Sequence, residues 1–132
     1  MSDMVWMLIE NDGAVLLAHR KPENPPFADE WVLPGTASAQ GESAGDTLAR
    51  MARDDFDVAL QASEFVESLS VPSGGADHAV DVYRVGFEGT PKFRESGPYQ
   101  EVGWAEPEEL DDMDFEVSEV LRSFLDRMGG AA

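Results

Sequence analysis

Residues Trp31–Val58 read WVLPGTASAQGESAGDTLARMARDDFDV. The first part, Trp31 to Leu33, is a short apolar run stopped by Pro34-Gly35. Small polar residues follow as far as Gly41. From about Ser43, Leu48, Ala49, Ala52 and Phe56 recur at helical spacing, which predicts a helix with those four residues on its buried face. At about 3.6 residues per turn, Asp46, Arg50 and Asp54 fall in one line opposite that face. Asp55 lies on the shoulder, one turn after Met51. A strand, a tight loop and an acidic helix, with a carboxylate pair at one helix end facing free backbone groups, suit a hard cation held through oxygen ligands.

The order of these residues resembles the signature of the Nudix hydrolases. That pattern is Gly, five residues, Glu, seven residues, then Arg-Glu-apolar-any-Glu-Glu-any-Gly-apolar. Thr36 stands where the first Gly belongs, Glu42 falls on the first Glu, and Arg50 follows at the right spacing. Met51 replaces the Glu after the Arg, Asp54 and Asp55 replace the Glu pair, Asp57 replaces the Gly, and Val58 keeps the last apolar position.

What the resemblance implies is specific. A magnesium or manganese ion is held by Asp54, Asp55 and the carbonyl of Gly35, and activates water against a diphosphate. Glu42 and Arg50 pair and hold the loop against the helix, and Arg20, ending the second strand, reaches substrate phosphate. On the helical wheel a Glu at position 51 would point at the same ion as the two aspartates. The family also carries a catalytic Glu in the loop before Glu101, and by spacing Pro98 occupies that place, with Glu95 and Glu101 nearby. The function implied is a metal-dependent pyrophosphohydrolase acting on a nucleoside diphosphate linked to another moiety. Met51 and Pro98 set against it a Nudix-fold domain that binds a nucleotide or protein partner without turnover.

Outward from this stretch, Val5–Glu10 and Ala14–Arg20 flank Asn11-Asp12-Gly13, a hairpin signal that predicts paired strands. Residues 21–29, with three prolines, form a loop. Gln61–Val71 and His78–Glu88 are two further antiparallel strands about a turn at Pro72–Gly75. Glu101–Ala105 is a last strand. After an acidic turn from Pro107, Phe115–Met128 is an amphipathic helix presenting Val117, Val120, Leu121, Phe124 and Leu125. Phe27, Trp31 and Tyr99 are candidates to stack on a base or to pack inside. The element order predicts an α/β fold, a mixed sheet flanked by helices, and resembles the Nudix α/β/α sandwich over nearly the whole chain.

At 132 residues one domain spanning 1–132 is expected. With no cysteine, neither disulfides nor thiolate metal sites are available. No apolar run reaches the length of a membrane span, and no signal peptide opens the chain, so a cytoplasmic protein is expected. The 27 Asp and Glu against 9 Lys and Arg give a net charge of −18, spread over the whole length, with only Lys21 and Lys92 as lysines. Such a surface excludes duplex nucleic acid, which needs a basic stripe. It reads as an adaptation to concentrated salt, where screening removes self-repulsion. A small nucleotide-type substrate is the partner implied, with the chain a monomer or homodimer.

Overall fold

The computed structural model describes residues 4–11, 13–23, 27–89, 91–92, 99–106 and 119–130. Glu95, Pro98, Val117 and the acidic turn after Pro107 lie outside them. The strands are β1 (Met4–Leu8), β2 (Glu10–Asn11), β3 (Ala14–Arg20), β4 (Trp31–Val32), β5 (Gly35–Thr36), β6 (Ala59–Ser73), β7 (Ala76–Glu88) and β8 (Tyr99–Ala105). The helices are α1 (Ala44–Phe56) and α2 (Glu119–Gly130).

The strands form two sheets. One is mixed, in the order β5-β1-β7-β6, with β1 parallel to β7 and the other pairs antiparallel. In the other, β3 is central, with β2 and β4 on one edge and β8 on the other.

β1 explains why the expected first hairpin is split. Every residue from Met4 to Ile9 is buried, so this strand needs cover on both faces, as a parallel strand inside a sheet does. The chain then passes at Ile9 into the second sheet. Only Glu10–Asn11 pairs with Ala14–Val15 in the hairpin that the Asp-Gly signal announces.

The alternation along β1 separates two cores. Met4, Trp6 and Leu8 cluster with Leu121, Phe124 and Leu125 of α2. Val5, Met7 and Ile9 cluster with Leu48, Met51 and Phe56 of α1. The mixed sheet therefore lies between the two helices, the α/β/α arrangement. Burying each large apolar side chain of α1 contributes roughly 1.5–3 kcal/mol.

α1 is well delimited. The Ser43 side chain caps its start, accepting from the Asp46 amide at 3.1 Å. Asp57 ends it in the left-handed region, φ 55°, and the Val58 amide returns to the Ala52 carbonyl at 3.0 Å. That conformation favours glycine, and a short polar residue such as Asp tolerates it. The buried face differs from the expected one: Thr47, Leu48, Met51, Ala52 and Phe56 are buried, and Ala49 is exposed. The stripe is turned by a fraction of a residue, which carries Met51 inward and Ala49 out.

The β6–β7 pair is longer than expected. Its turn narrows to Gly74-Gly75, with φ of 62° and 83°, the backbone a two-residue hairpin turn requires. Pro72 sits within β6, an edge strand of its sheet.

Candidate active site

The loop between β5 and α1 is held by one carboxylate. Glu42 takes a two-pronged contact from Arg50, Nε to Oε2 at 2.9 Å and Nη2 to Oε1 at 2.9 Å. Oε1 also accepts from the Ala39 amide at 2.9 Å and lies 2.8 Å from the Thr47 hydroxyl. Thr47 is fully buried, and its hydroxyl also lies 2.8 Å from Ser38 Oγ and 3.0 Å from the Ser43 carbonyl. Arg50 Nη2 adds a bond to the Ala37 carbonyl at 3.3 Å. Loop and helix are thereby fixed to each other by charge-assisted bonds.

These partners act on ionisation. Hydrogen bonds from Arg50, the Ala39 amide and Thr47 draw the Glu42 carboxyl down from its ordinary value to about 2. The Glu42 contact raises Arg50. A carboxyl lowered by folding stabilises the fold above its unfolded value, near 4.5 here, and that contribution is lost as pH falls through about 2. Glu42→Gln should therefore flatten the acid limb of stability between those two values. Equilibrium denaturation of both proteins across that window measures it, and coincident acid limbs would refute the role of this carboxylate.

The second feature is Gly35. A Cβ there would fall on Trp6 Cδ1 and 2.5 Å from the Val5 carbonyl oxygen, so the backbone approach requires glycine. The Tyr99 hydroxyl, fully buried, takes the Gly35 amide at 2.8 Å and reaches the Gly35 carbonyl at 3.2 Å. Arg20 Nη1 donates to the same carbonyl at 3.0 Å. Arg20 is only 6% exposed; burial lowers its pKa, while Tyr99 and Asp55 oppose that shift. Burial, with Asp55 next, raises the Tyr99 phenol.

The four charged residues of the signature, Glu42, Arg50, Asp54 and Asp55, are thus placed differently. Glu42 and Arg50 form the clamp, and Asp55, half-buried, bears electrostatically on Arg50, Arg20 and Tyr99. Asp54 is exposed and pairs with Arg53 at 3.0 Å. Met51, 1% exposed, lies in the apolar cluster with Val5, Met7, Leu48 and Phe56. Position 51 therefore does not open toward the aspartates as the helical wheel suggests.

Sequence reasoning did not assign Thr47 to the site, and it raised Tyr99 only as a residue to stack on a base or pack inside, not as the partner of Gly35. Thr47 gives a signal, as a hydroxyl on the buried side of the helix one turn from Met51. Tyr99 gives none, because only the β3–β8 register brings it opposite Arg20. Phe27 packs in the core edge-on to Trp6, with ring centroids 5.3 Å apart. His19 stacks on Trp31 and lies 2.9 Å from Asp29 Oδ1 and 3.3 Å from Glu101 Oε1. A cleft of about 570 Å³ bordered by Phe27, Glu30, Ser73 and His78 shares no residue with the clamp or the helix acids.

Among the described residues no group of three or more acidic or imidazole side chains is arranged to hold a metal ion. Two carboxylates are nonetheless what magnesium commonly takes from a protein when water and substrate phosphates supply the rest. An ion held by Asp54 and Asp55 would therefore have to draw its remaining ligands from water and substrate phosphate.

An α/β/α sandwich with a clamped loop leading into an acidic helix defines the class, and comparison with known proteins gives the family. The NUDIX domain model matches residues 2–128, and the chain belongs to that family. It is 25% identical over 126 residues to the nucleoside triphosphatase NudI of Escherichia coli O139:H28, covering 87% of this chain and 89% of the relative. The solution structure of the E. coli ORF135 protein superposes with a TM-score of 0.72 at 26% identity, covering 99% and 92% of the two chains. The NUDIX domain of Shewanella oneidensis NrtR, solved in complex with ADP ribose, gives 0.70 at 16% identity, covering 97% and 86%. No helix among the described residues is long and apolar enough to cross a membrane.

Proposed function

We propose that this chain is a single-domain pyrophosphohydrolase acting on a nucleoside diphosphate linked to another moiety, with magnesium or manganese as its cofactor. The observation that carries the reading is the Glu42–Arg50 clamp, which holds the loop after Gly35 against the helix that bears Asp54 and Asp55. NudI, a nucleoside triphosphatase, and the NrtR domain, solved with ADP ribose, support a substrate of the nucleotide class.

In this reading Asp54 and Asp55 would hold the ion, with the Gly35 carbonyl as a further oxygen. A divalent ion held by these groups would supply a water of lowered pKa and neutralise charge on phosphate oxygens. The clamp keeps the loop carbonyls and the helix acids in one fixed relation, so the reacting groups do not have to be ordered during each turnover. Arg20, at the end of β3, is the cation that would meet substrate phosphate. The scattered carboxylates fit a protein that works in concentrated salt.

A second reading, a domain that binds a nucleotide without turnover, is favoured by the buried Met51 and by the contacts already made at the Gly35 carbonyl. A phosphate-release screen over nucleotide diphosphates and their conjugates, with magnesium or manganese at low and molar KCl, separates the two. Hydrolysis is expected, with Asp55→Asn losing at least the roughly 10–100-fold typical of groups that only orient a metal's ligands. Stabilisation by one compound with hydrolysis of none would favour the binding domain. A melting temperature indifferent to KCl would refute the salt adaptation.

A further inference from the structure

The Gly35 carbonyl and Asp55 are both read above as ligands of a divalent ion, and both already answer to one cation. Arg20 Nη1 lies 3.0 Å from the Gly35 oxygen, and the residue is buried. Asp55 acts on the same guanidinium and on the Tyr99 phenol that completes the Gly35 contacts.

A carbonyl oxygen has two lone pairs, and here a guanidinium N–H and a phenol O–H are both directed at it. A hard cation entering at that oxygen meets a like charge in direct contact with its intended ligand, in a place where little water intervenes to screen the repulsion. The two cannot share the site at full strength. A buried arginine left without partners would also be costly, so this contact is not one that thermal motion gives up freely.

We propose that Arg20 is the resident counter-cation of this site and competes with divalent ions for the Gly35 carbonyl and Asp55. The proposal rests on the reading of those two groups as metal ligands. It gives Arg20 a role before any substrate is present: it keeps the carbonyl and the carboxylate compensated, and it sets the affinity for free metal low. An anionic diphosphate, by offering the guanidinium oxygens of its own, would draw Arg20 from Gly35 and release both groups.

The test is manganese binding by calorimetry to the full chain without nucleotide. Arg20→Gln removes the charge and shortens the side chain, so the Gly35 carbonyl also loses the N–H that Nη1 gives it. The variant should bind manganese roughly tenfold more tightly than wild type, the equivalent of one charge-assisted hydrogen bond. The gain should vanish in Arg20→Gln with Asp55→Asn.

If Arg20→Gln binds no more tightly while Asp55→Asn alone still weakens binding, the competition is wrong and the ligand assignment stands. If neither substitution moves the affinity, both fail. Because Arg20→Gln removes a buried contact, the wild-type protein supplies a reading that does not depend on the variant's folding. With magnesium added, the Arg20 guanidinium resonances should shift in step with the Asp55 side-chain carboxyl. Arg20 signals unchanged at saturating magnesium would overturn the proposal.

Discussion

Met51→Glu is expected to lower the stability of the fold by about 3–5 kcal/mol, the scale on which an uncompensated charge in an apolar interior acts. Met51 is 1% exposed, and its cluster includes Val5, Met7, Ile9, Leu16, Leu48, Phe56 and Tyr99. Glu and Met are of similar length, so little of the loss comes from volume. It comes from the carboxylate, which gives up its hydration on folding.

The pH dependence identifies that cause. Burial raises the carboxyl's pKa in the folded state, so the penalty is present in full above the folded value. It fades as pH falls toward the ordinary carboxyl value, roughly 4.3. Chemical denaturation of the variant and the wild type, at neutral pH and near that value, should show the deficit shrinking in acid. A variant as stable as wild type that also binds manganese more tightly would mean that position 51 reaches the ion after all.

This position shows where the sequence stops being legible. The spacing of Glu42 and Arg50 forecasts their pairing, and the structure has it as a two-pronged ion pair. Such contacts are local in sequence, eight residues apart across one capped helix start. The α/β/α layering was also legible, because alternation along the strands and periodicity along the helices report burial directly.

Whether Met51 faces the ion or the core is a matter of a small rotation of α1 about its axis, and that is set by what the helix packs on. β1 and β6 lie far from it in sequence or in another layer. The same limit applies to Arg20, whose partner at Gly35 depends on how β3, β5 and β8 come together in two different sheets. The split of the first apolar run between sheets was hidden for a related reason. A run of buried residues does not say at which residue the chain changes partners.

The other large effect is expected at Gly35. Gly35→Ala should cost about 3 kcal/mol, at the upper end for an added methyl group in a packed interior. The new Cβ would fall on Trp6 Cδ1 and lie 2.5 Å from the Val5 carbonyl oxygen. Trp6 is fully buried and cannot swing aside, and the Val5 oxygen belongs to β1, paired on its other edge with β7. Relief therefore requires β5 to leave β1, which breaks the Trp6–Gly35 register and moves the Gly35 carbonyl away from Arg20 and Tyr99. The variant should lose manganese affinity together with stability.

Gly45→Ala is the control for the substitution itself. It lies in the first turn of α1, where a Cβ meets only Ser43 Oγ at 3.9 Å, and helix propensity favours Ala by up to about 1 kcal/mol. Denaturant midpoints of the two variants should move in opposite directions from wild type. If Gly35→Ala unfolds with the wild type, the close approach of β5 to β1 is wrong, and with it the placement of the carbonyl on which the site is built.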